Sequence, residues 1–180
     1  MKKFELTTES ITNEAGKKLF RIKALIDFGD VKAGEPGGYV EKEGNVSQDD
    51  NAWVSGDAEV FGNAKVSGNA KVFGNAKVYD NAWVSGDARV SGNAWVSGDA
   101  RVSGDADYAL VQGFGTEFRC TTFYRGKNKK IMVNCGCFHG DLEGFRKQVK
   151  ETRNGKIAKE YLMIADLMEY HFTSEDSSNE

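Results

Sequence analysis

The residues with the most chemistry to offer are three cysteines and two histidines. Cys135-Gly136-Cys137-Phe138-His139 sets two thiols and an imidazole almost side by side, and Cys120 precedes Cys135 by fifteen positions. Thiolate and imidazole are the ligands zinc takes in a tetrahedral site, so these four could in principle enclose one. The Cys-x-Cys spacing, however, lacks the two-to-four-residue spacer that structural zinc sites favour. Packing of Cys120 and Cys135 as small buried residues on adjacent strands is the stronger reading, with a redox or nucleophilic cysteine as a lesser alternative. Cys120, Cys135, Cys137 and His139 therefore stand as weak metal candidates, and no cofactor is expected.

Other motifs reduce to turns. Asp27-Phe28-Gly29 matches a kinase tripeptide, but no catalytic loop or phosphate loop accompanies it. Gly34 to Gly38 lacks the Gly-Lys-Ser/Thr of a phosphate loop. Arg125, Lys127, Lys129 and Lys130 form a small basic patch at an expected hairpin tip, read as a solvated turn before a contact with RNA or an acidic surface. The elements that would position any of these come from the composition and its periodicity. Twenty-four Lys plus Arg against 27 Asp plus Glu give a net charge of -3, which argues against binding a phosphate backbone. No apolar run is long enough to span a membrane, and the start, Met1 to Glu9, carries none long enough for a signal peptide. With an odd number of cysteines, this points to a reducing cytoplasm. The chain has 21 glycines and a single proline, Pro36, while 39% of residues are hydrophobic, so the glycines mark regular turns.

From Asn51 to Gly104 the sequence is nine consecutive hexapeptides of the form [Asn/Asp]-Ala-x-Val-[Ser/Phe/Tyr]-[Gly/Asp]. The second place is always alanine, the fourth always valine, and the sixth is glycine except at Asp80. The third, fourth and fifth places alternate out, in, out as a short strand does. Glycine and Asn/Asp supply the corner backbone, and alanine is the small inward residue beyond it. Six residues per side imply a three-sided coil of 18 residues, hence three full coils, each about 4.8 Å above the last. The Asn/Asp corner column (Asp57, Asn75, Asn93) lacks the paired glycines of a calcium repeat and is expected to stack its side chains.

This repeat resembles the hexapeptide family of left-handed parallel β-helices, although its glycine lies two places after the aliphatic residue rather than one. Asp27-Phe28-Gly29-Asp30-Val31-Lys32-Ala33-Gly34, Gly37-Gly38-Tyr39-Val40, Val46-Ser47-Gln48 and Ala52-Trp53-Val54 look like the YdcK-type polymer-forming proteins of bacteria and their phage-borne relatives. That likeness covers roughly residues 20 to 105. It implies a mainly β fold: a left-handed parallel β-helix over 39–110, with a degenerate first coil in which Gln48 takes the valine place. An N-terminal β-hairpin and Gly-rich loop are expected over 1–38, with strands at Phe4 to Thr8 and Leu19 to Phe28 around the turn Asn13-Glu14-Ala15-Gly16. A ββαα module is expected over 111–172, with strands at Phe118 to Tyr124 and Lys130 to Cys135. Its helices follow an N-cap at Asp141 and a stop at Asn154-Gly155. Residues 173–180 read as a disordered acidic tail.

Residues 18 apart stack on one side of such a coil. The first side carries Glu59, Lys77 and Trp95 beside Phe61, Tyr79 and Ser97; the second carries Trp53 and Phe73; the third carries Trp83. Phe61, Tyr79, Trp95, Phe73, Trp53 and Trp83 are the candidate interface residues. The aromatic strip on the first side is covered either by the chain's own C-terminal segment or by a partner. Acyl-transferring and zinc-dependent hexapeptide enzymes need histidines at the coil, and this coil contains none, so no enzymatic activity is expected. A rigid coil without catalytic residues reads as a binding or scaffold protein in the cytoplasm of a bacterial host, and the resemblance implies that it is of phage or prophage type. Such a protein would self-associate as a trimer or dimer and present its rigid surface to a protein partner. The alternative is a phage-encoded inhibitor of a bacterial defence system that occludes a host protein or sequesters a small signalling nucleotide.

Overall fold

The hexapeptide period closes into three stacks of two-residue strands. The computed structural model describes residues 2–173. After the hairpin strands β1 (Phe4–Thr12) and β2 (Lys18–Ala24), β3 (Pro36–Val40) enters the coil. Then follow β4 (Trp53–Val54), β5 (Glu59–Val60), β6 (Lys65–Val66), β7 (Lys71–Val72), β8 (Lys77–Val78), β9 (Trp83–Val84), β10 (Arg89–Val90), β11 (Trp95–Val96) and β12 (Arg101–Val102). Parallel pairing joins β3-β5-β8-β11 on the first side, β4-β7-β10 on the second and β6-β9-β12 on the third. The product is a mainly β, parallel β-solenoid of about four turns. All nine valines and all nine alanines of the repeat point inward and are buried. Each turn bonds the next, as in Trp53 N–H to the Ala70 carbonyl at 3.0 Å. The corner glycines at the sixth place from Gly56 to Gly98 lie at positive φ, and Asp80 takes the same left-handed conformation at φ 59°. The expected side-chain stacking holds: Asn51 Nδ2 donates to Asn69 Oδ1 at 3.0 Å, Asn69 to Asp87 at 2.9 Å, and Asn75 to Asn93 at 3.2 Å.

The first turn differs from expectation in register. Val40 pairs with Val60 and Val46 with Val66, so Val46 fills the valine place and is buried. Gln48 does not fill it: the turn carries two extra residues after Val46, and Gln48 reaches the hairpin instead. Its Oε1 accepts from Lys3 N–H at 2.8 Å and Phe4 N–H at 3.2 Å, while its Nε2 donates to the Phe4 carbonyl at 3.1 Å. A side-chain amide thus stands in for the backbone of a missing turn. Lys3 completes this end from within: its buried ammonium donates to the carbonyls of Asp50 at 2.9 Å and Ala52 at 2.8 Å. Buried Asn45 donates to the carbonyls of Gly62 and Ala64. Carbonyls at the open end of a solenoid need such partners, because an unpaired buried polar group costs about 1–3 kcal/mol.

The hairpin turn falls at 13–17 as expected, and β2 pairs antiparallel with β3, extending the first side. Gly37 and Gly38 are fixed by packing here. A Cβ on Gly37 would lie 2.4 Å from Ile22 Cγ1, and one on Gly38 would lie 2.7 Å from the Ala58 carbonyl. Asp27-Phe28-Gly29 is a turn: the Asp27 carboxylate accepts from Ala33 N–H at 2.8 Å.

The C-terminal module has four strands rather than two: β13 (Tyr108–Phe114), β14 (Arg119–Arg125), β15 (Ile131–Cys135) and β16 (Phe138–Asp141), an antiparallel meander. β13 begins at Tyr108, ahead of the expected boundary. Its sequence holds a glycine near its end, and β16 is short and polar, so neither shows the alternation of a free-standing strand. Helices α1 (Leu142–Thr152) and α2 (Gly155–Thr173) pack on the sheet around Phe123, Val133, Phe145 and Tyr161. Asp141 caps α1, its Oδ1 accepting from Gly144 N–H at 2.9 Å. The expected acidic tail lies outside the described residues except for Thr173, which ends α2. Among the described residues no helix is long and apolar enough to cross a membrane.

Candidate functional site

The first side of the coil is where the terminal modules converge. At its first turns the hairpin lies over the aromatic strip: Phe61 packs with Leu19 and Tyr39 and is only 9% exposed. Tyr79 stacks on Phe61, with ring centroids 5.1 Å apart and planes within 4°. At its last turn the C-terminal sheet closes over Ser97. Trp95 N–H donates to Thr122 Oγ1 at 3.0 Å, and Asn134 Nδ2 donates to the Trp95 carbonyl at 2.8 Å. Thr122 and Asn134 therefore occupy the bonds that a further turn of backbone would have made. The fully buried Tyr124 hydroxyl lies 3.4 Å from Ser97 Oγ, and burial pushes its pKa up to about 12 despite that bond. Phe61 is thus covered within the chain, by the N-terminal hairpin rather than by the C-terminal segment, while Tyr79 and Trp95 stay half-buried.

Between these covers a trough stays open. One hollow, of about 780 Å³, has Phe61, Tyr79 and Trp95 among its lining, with Asn63, Asn81, Asp80 and Asp99. A second, of about 710 Å³, runs on from Trp95 to Arg119, Cys120 and Cys137 under Asn75, Asn93 and Asn134. Glu14, Lys77 and Trp95 line both. Lys77 Nζ sits 5.3 Å from the centre of the Trp95 ring and pairs with Glu14 at 3.2 Å and Glu59 at 3.7 Å. Asn13 Nδ2 also donates to Glu59 at 3.1 Å, tying the hairpin turn to the coil. The first hollow carries three carboxylates (Glu14, Asp80, Asp99) and two lysines (Lys17, Lys77), the second Lys77 and Arg119 with Glu14. Asp80, the non-glycine corner, opens on the first hollow and its carboxylate accepts from Gly98 N–H at 3.2 Å. Strain at a non-glycine left-handed residue costs about 1–2 kcal/mol and gathers at functional positions.

The remaining interface candidates separate. Trp53 is 4% exposed, wedged edge-on between Phe4 at 6.2 Å and Phe28 at 5.3 Å, so it is core and offers no partner surface. The loop carrying Phe28 and the strand carrying Phe4 fold over the first rung of the second side, a closure the coil repeat does not encode. Phe61 is likewise withdrawn beneath the hairpin apart from the edge lining the trough. Trp83 stays 47% exposed on the third side, with the Arg101 guanidinium 5.8 Å from its ring centre. Phe73 borders shallow hollows beside Arg89 on the second side.

The cysteine–histidine group does not converge. Among the described residues no three of His, Cys, Asp and Glu are arranged to hold a metal ion. His139 turns away to the coil, its Nδ1 against Asn134 Oδ1 and 3.3 Å from Ser97 Oγ. Cys135 Sγ accepts from Thr121 Oγ1 at 3.1 Å, and burial raises the pKa of Cys120 above the ordinary thiol value. Cys137 is exposed at the rim of the trough. In the basic patch, Arg125 pairs with Asp107 at 2.9 Å and faces Phe172, while Lys130 pairs with Asp141 at 3.6 Å. Sequence reasoning missed Glu14, Arg119, Thr122 and Asn134, which reach the trough only because distant segments fold over one side.

A family model described as the YdcK beta solenoid repeat matches residues 82–98, within the coil and including Trp95. No curated protein matches the chain.

Proposed function

We propose, from a coil whose repeat is of the YdcK β-solenoid type, that this chain is a non-enzymatic binding protein whose trough receives a segment of a protein partner. The observation that carries the reading is the trough itself. Its floor is the parallel coil, which carries Lys77 and Trp95, and its walls come from the hairpin turn at Glu14 and from the C-terminal sheet at Arg119. A preformed aromatic floor costs little entropy on binding, and an aromatic with an arginine nearby is the usual anchor of a protein contact. Each hollow is already within the range of a small-molecule pocket, about 300–1,000 Å³, so the two together suit an extended segment. Such a segment would set an apolar side chain on Trp95 and an acidic one toward Arg119. In the phage-type setting that the sequence resemblance implies, the partner is a bacterial host protein held or occluded by the trough.

A second reading is sequestration of a small anionic molecule, a nucleotide for example, favoured by the Arg119 guanidinium and the Trp95 ring lining the same hollow. One experiment separates the two. Wild type, Trp95→Ala and Arg119→Glu, each checked for its fold, are used to capture material from bacterial lysate, and both proteins and small molecules are identified by mass spectrometry. A protein retained by wild type and lost by both variants supports the proposal. A nucleotide with the same pattern transfers support to the second reading. Identical capture by all three forms overturns both.

A further inference from the structure

We infer that the outward face of α2 joins two copies of this chain as an antiparallel helix pair. Met163, Leu167 and Tyr170 succeed one another at four and three residues, which places them in one stripe. They are 61%, 58% and 71% exposed, among the most exposed large apolar side chains described. The opposite face, with Tyr161, Ile164, Ala165, Met168 and Phe172, is buried on the sheet and α1. A helix apolar on both faces is ordinarily covered on both. By contrast the outer positions of α1 carry Glu143, Lys147, Lys150 and Glu151, as a solvated helix does.

The charges beside the stripe name the occupant as a second copy. Lys159 precedes Met163 by four residues and Asp166 follows it by three, which places both on the same flank. In a two-fold antiparallel pair each flank meets its own counterpart, running the other way. Lys159 then faces Asp166 of the other copy, the contact recurs reciprocally, and the two-fold lies near Met163. The same pairing sets the Tyr170 ring against the aliphatic stem of Lys156 and opposes the helix dipoles. Asp166 has unspent negative charge for this: it shares Arg146 with Glu143 and Glu169, three carboxylates on one guanidinium. The inference does not depend on the trough, which lies on the coil.

Sedimentation velocity at micromolar concentration tests it. Wild type is expected to run as a dimer and Leu167→Glu as a folded monomer. Lys159→Glu and Asp166→Lys each weaken the dimer at least about tenfold, and the double variant, which restores opposite signs across the two-fold, recovers it. A monomeric wild type overturns the inference, as does a dimer that Leu167→Glu leaves intact or a double variant no better than the singles.

Discussion

Replacing a corner glycine by alanine separates two costs that the coil imposes, because the stack ends within the chain. Gly68 and Gly92 have almost the same backbone, φ 70° and 65°. Alanine in that left-handed conformation costs about 1–2 kcal/mol at either position. Their surroundings differ. A Cβ on Gly68 would lie 3.0 Å from Gly86 N and 3.1 Å from its carbonyl oxygen, whereas one on Gly92 would have nothing within 4 Å. Relieving the contact at Gly68 means parting two turns by a few tenths of an ångström. The bonds that clamp that corner, Asn69 N–H to Gly86 O at 2.8 Å and Ser67 N–H to Val84 O at 3.0 Å, then lengthen. Overpacking against such a clamped backbone adds about 1–3 kcal/mol. Gly68→Ala is therefore expected to lose about 2–5 kcal/mol and Gly92→Ala about 1–2. Urea unfolding followed by far-ultraviolet circular dichroism, with the slope compared among the three forms, measures both. Equal losses, or a greater loss at Gly92, would refute the claim that turn-on-turn contact, beyond left-handed strain, reserves the corner for glycine.

Three further outcomes follow from the capping groups. Lys3→Ala removes the donor to the Asp50 and Ala52 carbonyls and is expected to lower stability by about 2–4 kcal/mol, while Lys2→Ala at the exposed neighbouring pair changes it by under about 0.5 in thermal unfolding. Glu41 lies below the ordinary carboxylate range because it accepts from Gly62 N–H. Asp50 and Asp107, though burial raises them, are drawn lower on balance, Asp50 by the Gly68 and Ala52 N–H donors and Asp107 by the Ser103 hydroxyl and the Ser103 and Gly104 N–H donors. Since unfolding returns all three to about pH 4, their contribution is full above that value and is lost as pH falls through the folded values. Asp50→Asn should flatten this acid limb. Tyr124 titrates near 12 in the fold against about 10 unfolded, so its contribution is present below pH 10 and is lost as pH rises toward 12. Burial also raises Tyr39 and Tyr161, so absorbance titration should show several late phenols with a last step that disappears in Tyr124→Phe; persistence of that last step in the variant would move the assignment to another tyrosine.

The coil was legible because alanine holds the second place and valine the fourth in all nine hexapeptides without interruption, so strand register, inward valines and corner stacking all follow from a period of six. The first turn was less so: a two-residue insertion after Val46 breaks the count, and Gln48 near the valine column looks like a degraded repeat when it is a cap. β13 and β16 escaped notice because their pairing comes from the meander, with no alternation of their own. The trough could be reached only halfway. Tyr79 and Trp95 fall on one side by counting eighteens, but nothing local to Glu14 or Arg119 announces that a hairpin turn and a sheet edge will arrive beside them. For the same reason Trp53, equivalent to Lys71 and Arg89 by count, is core: Phe4 and Phe28 cover it from outside the repeat.

The trough is tested most directly by hydrogen exchange on the captured complex against the free protein. Amides at 13–17, 77–81, 95–99 and 119–122 should slow when the partner binds, while those around Trp83 and Arg101 on the third side stay unchanged. Protection confined to the third side, with the trough segments exchanging as in the free chain, would contradict the account.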